Sequence, residues 1–68
     1  MESDHLDGRI RNNIQIGQEV DIIQKQHQKS QELTTGIIKQ ILTNAEIHHR
    51  GIKVRLESGE IGRVKNIL

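Results

Sequence analysis

The stretch Gly51-Ile-Lys-Val-Arg-Leu-Glu-Ser-Gly-Glu-Ile-Gly-Arg-Val-Lys-Asn-Ile-Leu68 decides the fold, because its alternation and its turn residues predict the same structure. Its first part alternates apolar residues with Lys53 and Arg55, which is the two-residue period of a half-buried strand. Residues 57–60 then supply a turn, in which Gly59 can adopt a positive φ without steric cost. A second alternating segment follows. The stretch therefore predicts a β-hairpin with one apolar face and one basic face.

Composition limits the protein to one small domain, because 68 residues lie near the lower size at which a core holds a fold without cross-links. The absence of cysteine excludes disulfides and thiolate metal sites. Twelve isoleucines and three valines favour strands. The absence of Phe, Tyr and Trp excludes the aromatic walls of proline-peptide grooves, methyl-lysine cages and the common base-stacking platforms.

The distribution of charge and hydropathy indicates the localisation of the protein and the charge of its binding partners. No apolar run approaches the roughly 18 to 20 residues of a membrane span, and the polar start is not a signal peptide, so we expect a soluble protein of the cytoplasm without membrane contact. Residues 1–21 carry two basic and five acidic side chains, whereas residues 22–68 carry eight basic and four acidic ones. The part that is predicted to fold is therefore basic.

The order of apolar and polar segments predicts a flexible N-terminal tail at 1–12 and a β-barrel domain at 13–68. Alternating apolar residues around Gly17 predict a first strand of six to nine residues, with a turn or bulge near its start. The polar segment 24–32 has no apolar face and is interpreted as a solvated loop, although its glutamines are able to bind a partner.

The segment 34–45 is ambiguous, because its apolar residues also lie at helical spacing. An α+β fold with a helix over 37–47 is the competing architecture. An internal echo favours a strand: Gly36-Ile-Ile-Lys-Gln-Ile-Leu42 and Gly62-Arg-Val-Lys-Asn-Ile-Leu68 match at most offsets, and the second copy belongs to the hairpin. We therefore expect an all-β fold, a small SH3-like (KOW-like) barrel of four to five short strands.

A resemblance to known proteins rests on these segments: Gly17-Gln-Glu-Val-Asp-Ile-Ile23, Gly36-Ile-Ile-Lys-Gln-Ile-Leu-Thr-Asn44, His48, Gly51-Ile-Lys-Val-Arg-Leu56 and Gly62-Arg-Val64. Through them the chain resembles the YwbE-like family of small uncharacterised bacterial proteins over about residues 9–68. The resemblance implies one small domain and brings no activity with it. The Gly-x-Val-Lys pattern is also similar to strands of the KOW-type barrels of ribosomal and transcription proteins.

A cluster of basic residues on the hairpin is the candidate site. Side chains two positions apart share a face of a strand, so several cations are expected together, and phosphate is the commonest partner of such a face. The predicted nucleic-acid-binding residues are Lys39, Lys53, Arg55, Arg63 and Lys65, with His48 and Arg50 at the loop edge. Without stacking rings, phosphate contacts to structured RNA or to the ribosome are favoured. The alternative is an ordinary solvated face that Glu19, Glu57 and Glu60 balance.

A protein-interaction module or homodimer is the second hypothesis. Ile23, Ile37, Ile47 and Ile61 are left over from the alternation, so they can form an exposed apolar contact, as can a sheet edge. We expect no metal and no cofactor, because Glu46, His48 and His49 have no further ligand at a recognisable spacing. We also expect no enzyme and no small-molecule substrate, because Ser30 and Ser58 have no base at a recognisable catalytic spacing and so small a barrel has little room for a buried pocket.

Overall fold

The computed structural model describes residues 7–68, which form a closed antiparallel barrel of four strands. Each strand pairs with the next one in the chain, and the last pairs with the first. The strands are β1 (Glu19–Gln24), β2 (Thr34–Ile41), β3 (Lys53–Leu56) and β4 (Ile61–Ile67), and single turns of 3-10 helix lie at Arg11–Asn13 and Lys25–His27. The predicted all-β class and the small SH3-like barrel are confirmed. Closure gives every strand two neighbours, so the barrel formed by residues 7–68 has no open sheet edge.

Aliphatic side chains fill the barrel: six of the eight buried ones belong to the four strands, and Ile14 and Ile52 belong to the segments that precede β1 and β3. Seven of the eight fully buried hydrophobic residues are Ile or Val, which pack well on a pleated surface. The eight are Ile14, Val20, Ile22, Ile38, Ile52, Val54, Leu56 and Val64. Each stabilises the fold by about 1.5–3 kcal/mol relative to an exposed side chain. The core therefore needs no aromatic residue.

The helix over 37–47 does not form, because residues 34–41 are a strand that pairs on both sides. Residues 42–46 have no regular structure, and Leu42 N donates to Lys53 O at 2.8 Å. The helical spacing arises from a bulge: the register with β3 shifts between Ile38 and Gln40, which leaves Lys39 as an extra residue. Pairing with distant strands has overridden the local periodicity.

The two copies of the internal echo adopt the same bulged strand, one in β2 and one in β4. On β4, Ile22 pairs with Val64 and Asp21 with Asn66, so Lys65 is the extra residue there. Lys39 and Lys65 are therefore equivalent in local structure, and both are exposed. Because β2 and β4 pair with β1 and β3 but not with each other, the two lysines lie on opposite sides of the barrel.

The N-terminal segment splits into two parts. Residues 1–6 of the predicted tail lie outside the described residues, whereas residues 7–12 lie against the barrel through backbone hydrogen bonds. Ile52 N donates to Gly8 O, and a β-bridge joins Ile10 to Ile47. Gly8 is buried, and a Cβ there would lie 2.8 Å from Val64 Cγ1. Backbone atoms hold this segment, which explains why its sparse apolar pattern does not predict the contact.

None of the helical segments within residues 7–68 has the length and apolar character needed to cross a membrane.

Candidate nucleic-acid interface

A groove runs over the outer face of β4, between the loop that follows β1 and the loop that precedes β3. It consists of two adjoining cavities of about 410 and 650 Å³. Both cavities are lined by Ile23, Gln28, Arg50 and Arg63, so they form one continuous depression. Five cationic side chains line it, and we call it the basic groove: Lys25, Arg50, Lys53, Arg63 and Lys65.

Strand register accounts for the centre of the basic groove. Arg63 on β4 lies opposite Lys53 on β3 and opposite Ile23 on β1, so the three side chains form a row across the sheet. Lys65, the bulge residue of β4, follows Arg63 by two positions and lines the same depression. Turns on either side bring Lys25 and Arg50 to the walls. Alternation within strands and barrel closure together thus place the cations around one depression.

The positive charge of the basic groove has little compensation. Glu60 is the one carboxylate among the residues that line the two cavities. It accepts a hydrogen bond from the Ser58 hydroxyl, which lowers its pKa. Within residues 7–68 an ion pair forms between Asp7 and Arg9, outside the basic groove. None of the five groove cations lies within 4 Å of a carboxylate in this part of the chain. Unneutralised cations around a concave surface attract anions.

Arg63 is held in place by hydrogen bonds from one end of its guanidinium. Nη1 donates to Gly51 O at 3.3 Å and to Thr43 Oγ1 at 3.4 Å, and Thr43 Oγ1 also accepts from Lys53 N at 2.8 Å. The side chain is half-buried, and its Nε and Nη2 groups donate to no other residue in the described part of the chain. A planar donor fork that is partly fixed in this way is suited to phosphate oxygens.

His49 forms part of the wall of the smaller cavity and stacks on His48, which lines neither cavity. The ring centroids of His48 and His49 are 5.1 Å apart, and the rings are inclined by 10°. His48 Nδ1 accepts from Arg50 N at 3.2 Å, and His48 N donates to Arg9 O at 2.9 Å. Burial first, and then the charges of Arg63, His49 and Arg50, lower the pKa of His48. The neutral ring is the form that accepts the Arg50 hydrogen bond.

Gly51 fixes the histidine loop against β4. Its φ is +105°, and a Cβ at this position would lie 2.5 Å from Val64 O and 3.4 Å from Arg63 Cβ. Gly51 N also donates to His48 O at 2.9 Å, which closes a turn over residues 48–51. Only glycine combines this backbone conformation with such a close approach. The tight packing places His49 and Arg50 above Arg63 and Lys65.

The structure brings together four of the seven residues that the sequence predicts for the site, namely Arg50, Lys53, Arg63 and Lys65. His48 lies directly behind His49. Arg55 lines neither cavity, because its Nη1 donates to Gln40 Oε1 at 3.0 Å towards β2. Lys39 is outside the groove, on the far side of the barrel, because closure separates β2 from β4.

Sequence reasoning missed the contribution of the loop after β1. Lys25, Gln28 and Gln31 line the groove, although the segment 24–32 is interpreted from sequence as a solvated loop. Its run of glutamines and lysines is the one sequence feature that points to this role. Among the left-over isoleucines, Ile23 and Ile61 also line the groove, Ile37 is half-buried, and Ile47 is 66% exposed beside Ile10. In the described part of the chain, no three His, Asp or Glu side chains form a group able to hold a metal ion.

Comparison with known proteins places these features in a family. A family described as an uncharacterized conserved protein (DUF2196) matches residues 7–67. The chain is similar to the uncharacterized protein YwbE of Bacillus subtilis (strain 168), with 49% identity over 63 residues that cover 93% of this chain and 97% of that protein. No solved structure gives a significant match. The resemblance to YwbE-like proteins is confirmed, and the chain belongs to the DUF2196 family of uncharacterized conserved proteins.

Proposed function

We propose that this protein is a cytoplasmic, non-catalytic binding module for structured RNA, free or within the ribosome, and that the basic groove holds the phosphate backbone. The observation that carries the proposal is the meeting of five cations around one depression with a single carboxylate. Folding brings these like charges together without pairing them, which raises the free energy of the unbound protein. A polyanion removes that repulsion and releases its own condensed counterions.

The two kinds of cation in the groove have different parts in this contact. Arg63, held by Gly51 and Thr43, presents a fixed guanidinium fork that matches two phosphate oxygens. Lys53 and Lys65 are exposed and flexible, so they act as point charges that follow the backbone on either side. One fixed cation beside two flexible ones suits a nucleic acid, because its phosphates repeat regularly while the course of its backbone varies with sequence.

Glutamine amides on the wall of the groove favour RNA among the polyanions. Gln28 and Gln31 line the cavity beside the cations, and the Gln31 side chain is anchored because its Nε2 donates to Gln28 O at 2.6 Å. Amides donate and accept hydrogen bonds, which is also what the ribose 2′-hydroxyl requires of a partner. The protein-contact hypothesis has less support, because Ile23 and Ile61 lie among the cations rather than in a separate apolar patch.

The two bulge lysines offer a matched test. Lys65→Glu and Lys39→Glu make the same charge change at equivalent, exposed positions on opposite sides of the barrel. The shortest dimension of the molecule is 20 Å, which is about twice the Debye length of roughly 10 Å at 0.1 M salt. We expect Lys65→Glu to weaken binding to a structured RNA about tenfold at 0.1 M salt and Lys39→Glu to weaken it less than about twofold.

Salt dependence supplies the second readout. If all five cations contact phosphates, the logarithm of the affinity falls with the logarithm of the salt concentration with a slope of about −3.5 to −4.5. Lys65→Glu is expected to make that slope shallower by about one. Equal losses in the two lysine variants, or binding that persists undiminished at high salt, would refute the phosphate-groove proposal. Absence of RNA binding with retained binding to a ribosomal protein would favour the protein-contact hypothesis instead.

A further inference from the structure

The smaller cavity of the basic groove carries more than cations. Its volume of about 410 Å³ falls in the range of roughly 300 to 1,000 Å³ that is typical of small-molecule sites. Three chemically different groups line it: the apolar side chain of Ile23, the amides of Gln28 and Gln31, and the imidazole of His49. Val64 and the cations Arg50, Arg63 and Lys65 complete the lining. A surface that recognised phosphate alone would need neither the ring nor the apolar side chain.

The His49 ring is the outer member of a preformed stack. His48 supports it from behind with nearly parallel rings, and the His48 side chain is anchored through its Nδ1 to Arg50 N. Gly51 holds the same turn against β4. Because His48 is anchored and His49 stacks on it before any ligand arrives, the His49 ring loses less conformational entropy on binding a base than a ring without such support.

A nucleotide carries the chemistry that this lining requires. A base has a flat π-face for the His49 ring, polar edges for the glutamine amides and an apolar surface for Ile23, and histidine is among the side chains on which unpaired RNA bases stack. The 5′-phosphate requires cations a short distance from the base. Paired bases are unavailable for such stacking, so the nucleotide must come from a bulge, loop or end.

We propose that the smaller cavity accepts one unpaired nucleotide of the bound RNA, with its base on the His49 ring and its phosphate between Arg50, Arg63 and Lys65. This inference rests on the proposed function and names the feature of the RNA that the groove selects. The absence of Phe, Tyr and Trp, which excludes the common stacking platforms, leaves a pair of stacked imidazoles to supply the rings.

The test compares a hairpin RNA that contains one bulged nucleotide with the same hairpin fully paired. We expect wild type to prefer the bulged RNA about five- to tenfold, the lower part of the range known for base–aromatic stacking. His49→Ala should reduce the ratio of the two affinities to about one, and His49→Phe should retain the preference. Equal wild-type affinity for the two RNAs, with steep salt dependence, would overturn this inference and leave the proposed function standing. Failure to bind either RNA would overturn both.

A second measurement uses small probes. In NMR titrations, adenosine monophosphate should bind at least about fivefold more tightly than ribose 5-phosphate and shift the His49 ring signals upfield. His49→Ala should equalise the two affinities. Equal affinities in wild type, or a preference that His49→Ala leaves intact, would refute the stacking of a base on this ring.

Discussion

Replacing Gly51 by alanine strains the backbone and creates a steric clash, whereas replacing Gly59 by alanine strains the backbone only. Their φ angles are +105° and +104°, so alanine at either position adopts the same unfavourable conformation. A Cβ at Gly59 would meet nothing within 4 Å, whereas at Gly51 it would lie 2.5 Å from Val64 O. The difference between Gly51→Ala and Gly59→Ala therefore isolates the contact that holds the histidine loop on β4.

The magnitudes follow from these two terms. A non-glycine residue in a sparsely populated backbone region costs about 1–3 kcal/mol, and both variants incur this cost. Overpacking costs a further 1–3 kcal/mol or so, and only Gly51→Ala incurs it, because the atom it meets is a backbone oxygen of a paired strand. A domain of this length has a free energy of unfolding of about 3–10 kcal/mol. The clash alone is thus a large fraction of total stability.

Urea and thermal unfolding of the two variants and wild type measure the difference. We expect Gly51→Ala to unfold at least about 4 °C below Gly59→Ala, since 1 kcal/mol shifts the midpoint of a small domain by about 4–8 °C. The NMR signals of the His48 and His49 rings should move in Gly51→Ala alone. Equal destabilisation by the two substitutions would show that the loop is not pinned to β4 at Gly51.

Three further predictions concern protonation and packing. The pKa of His48 lies below its ordinary value, so the unfolded state binds more protons than the folded state as the pH is lowered. We expect the free energy of unfolding to be highest above about pH 6.5 and to decrease below it. In urea denaturation, His48→Gln should reduce this dependence on pH between pH 5 and about 7. Hydrogen bonds from the Arg9 guanidinium and then from the Arg9 backbone N–H lower the pKa of Asp7 to about 2. An NMR titration of the Asp7 carboxyl in Arg9→Gln should give a value above that of wild type but below that of an ordinary aspartate, because the backbone donor remains; an unchanged value would contradict the ion pair. Leu56→Ala, at a fully buried position, should cost about 2–5 kcal/mol in chemical denaturation, against less than about 1 kcal/mol for Leu33→Ala at a position 48% exposed; similar losses would argue against the described core.

Local patterns were enough to predict the strands of this protein. The two-residue period of the segment 51–68 and its glycine turn predict β3, β4 and their connection, because side-chain direction in a strand depends only on position along it. The echo between 36–42 and 62–68 predicts that the first copy is a strand like the second, against a helical spacing that argues for the opposite. The structure shows that both strands carry a bulge at the equivalent lysine. The family could also be identified from the order of these segments.

Only the tertiary structure decided which charged residues meet. Lys39 and Lys65 are indistinguishable in local sequence and local geometry, but closure of the barrel puts them on opposite sides. The same closure brings the loop after β1 and the histidine turn over β4, so Lys25, Gln28 and His49 join a groove that their own sequence neighbourhoods do not predict. Which strands lie side by side is determined by hydrogen bonds between residues far apart in sequence and by the packing of a shared core. Sequence periodicity reports the direction of a side chain within one strand, and it carries no information about which strand lies beside it.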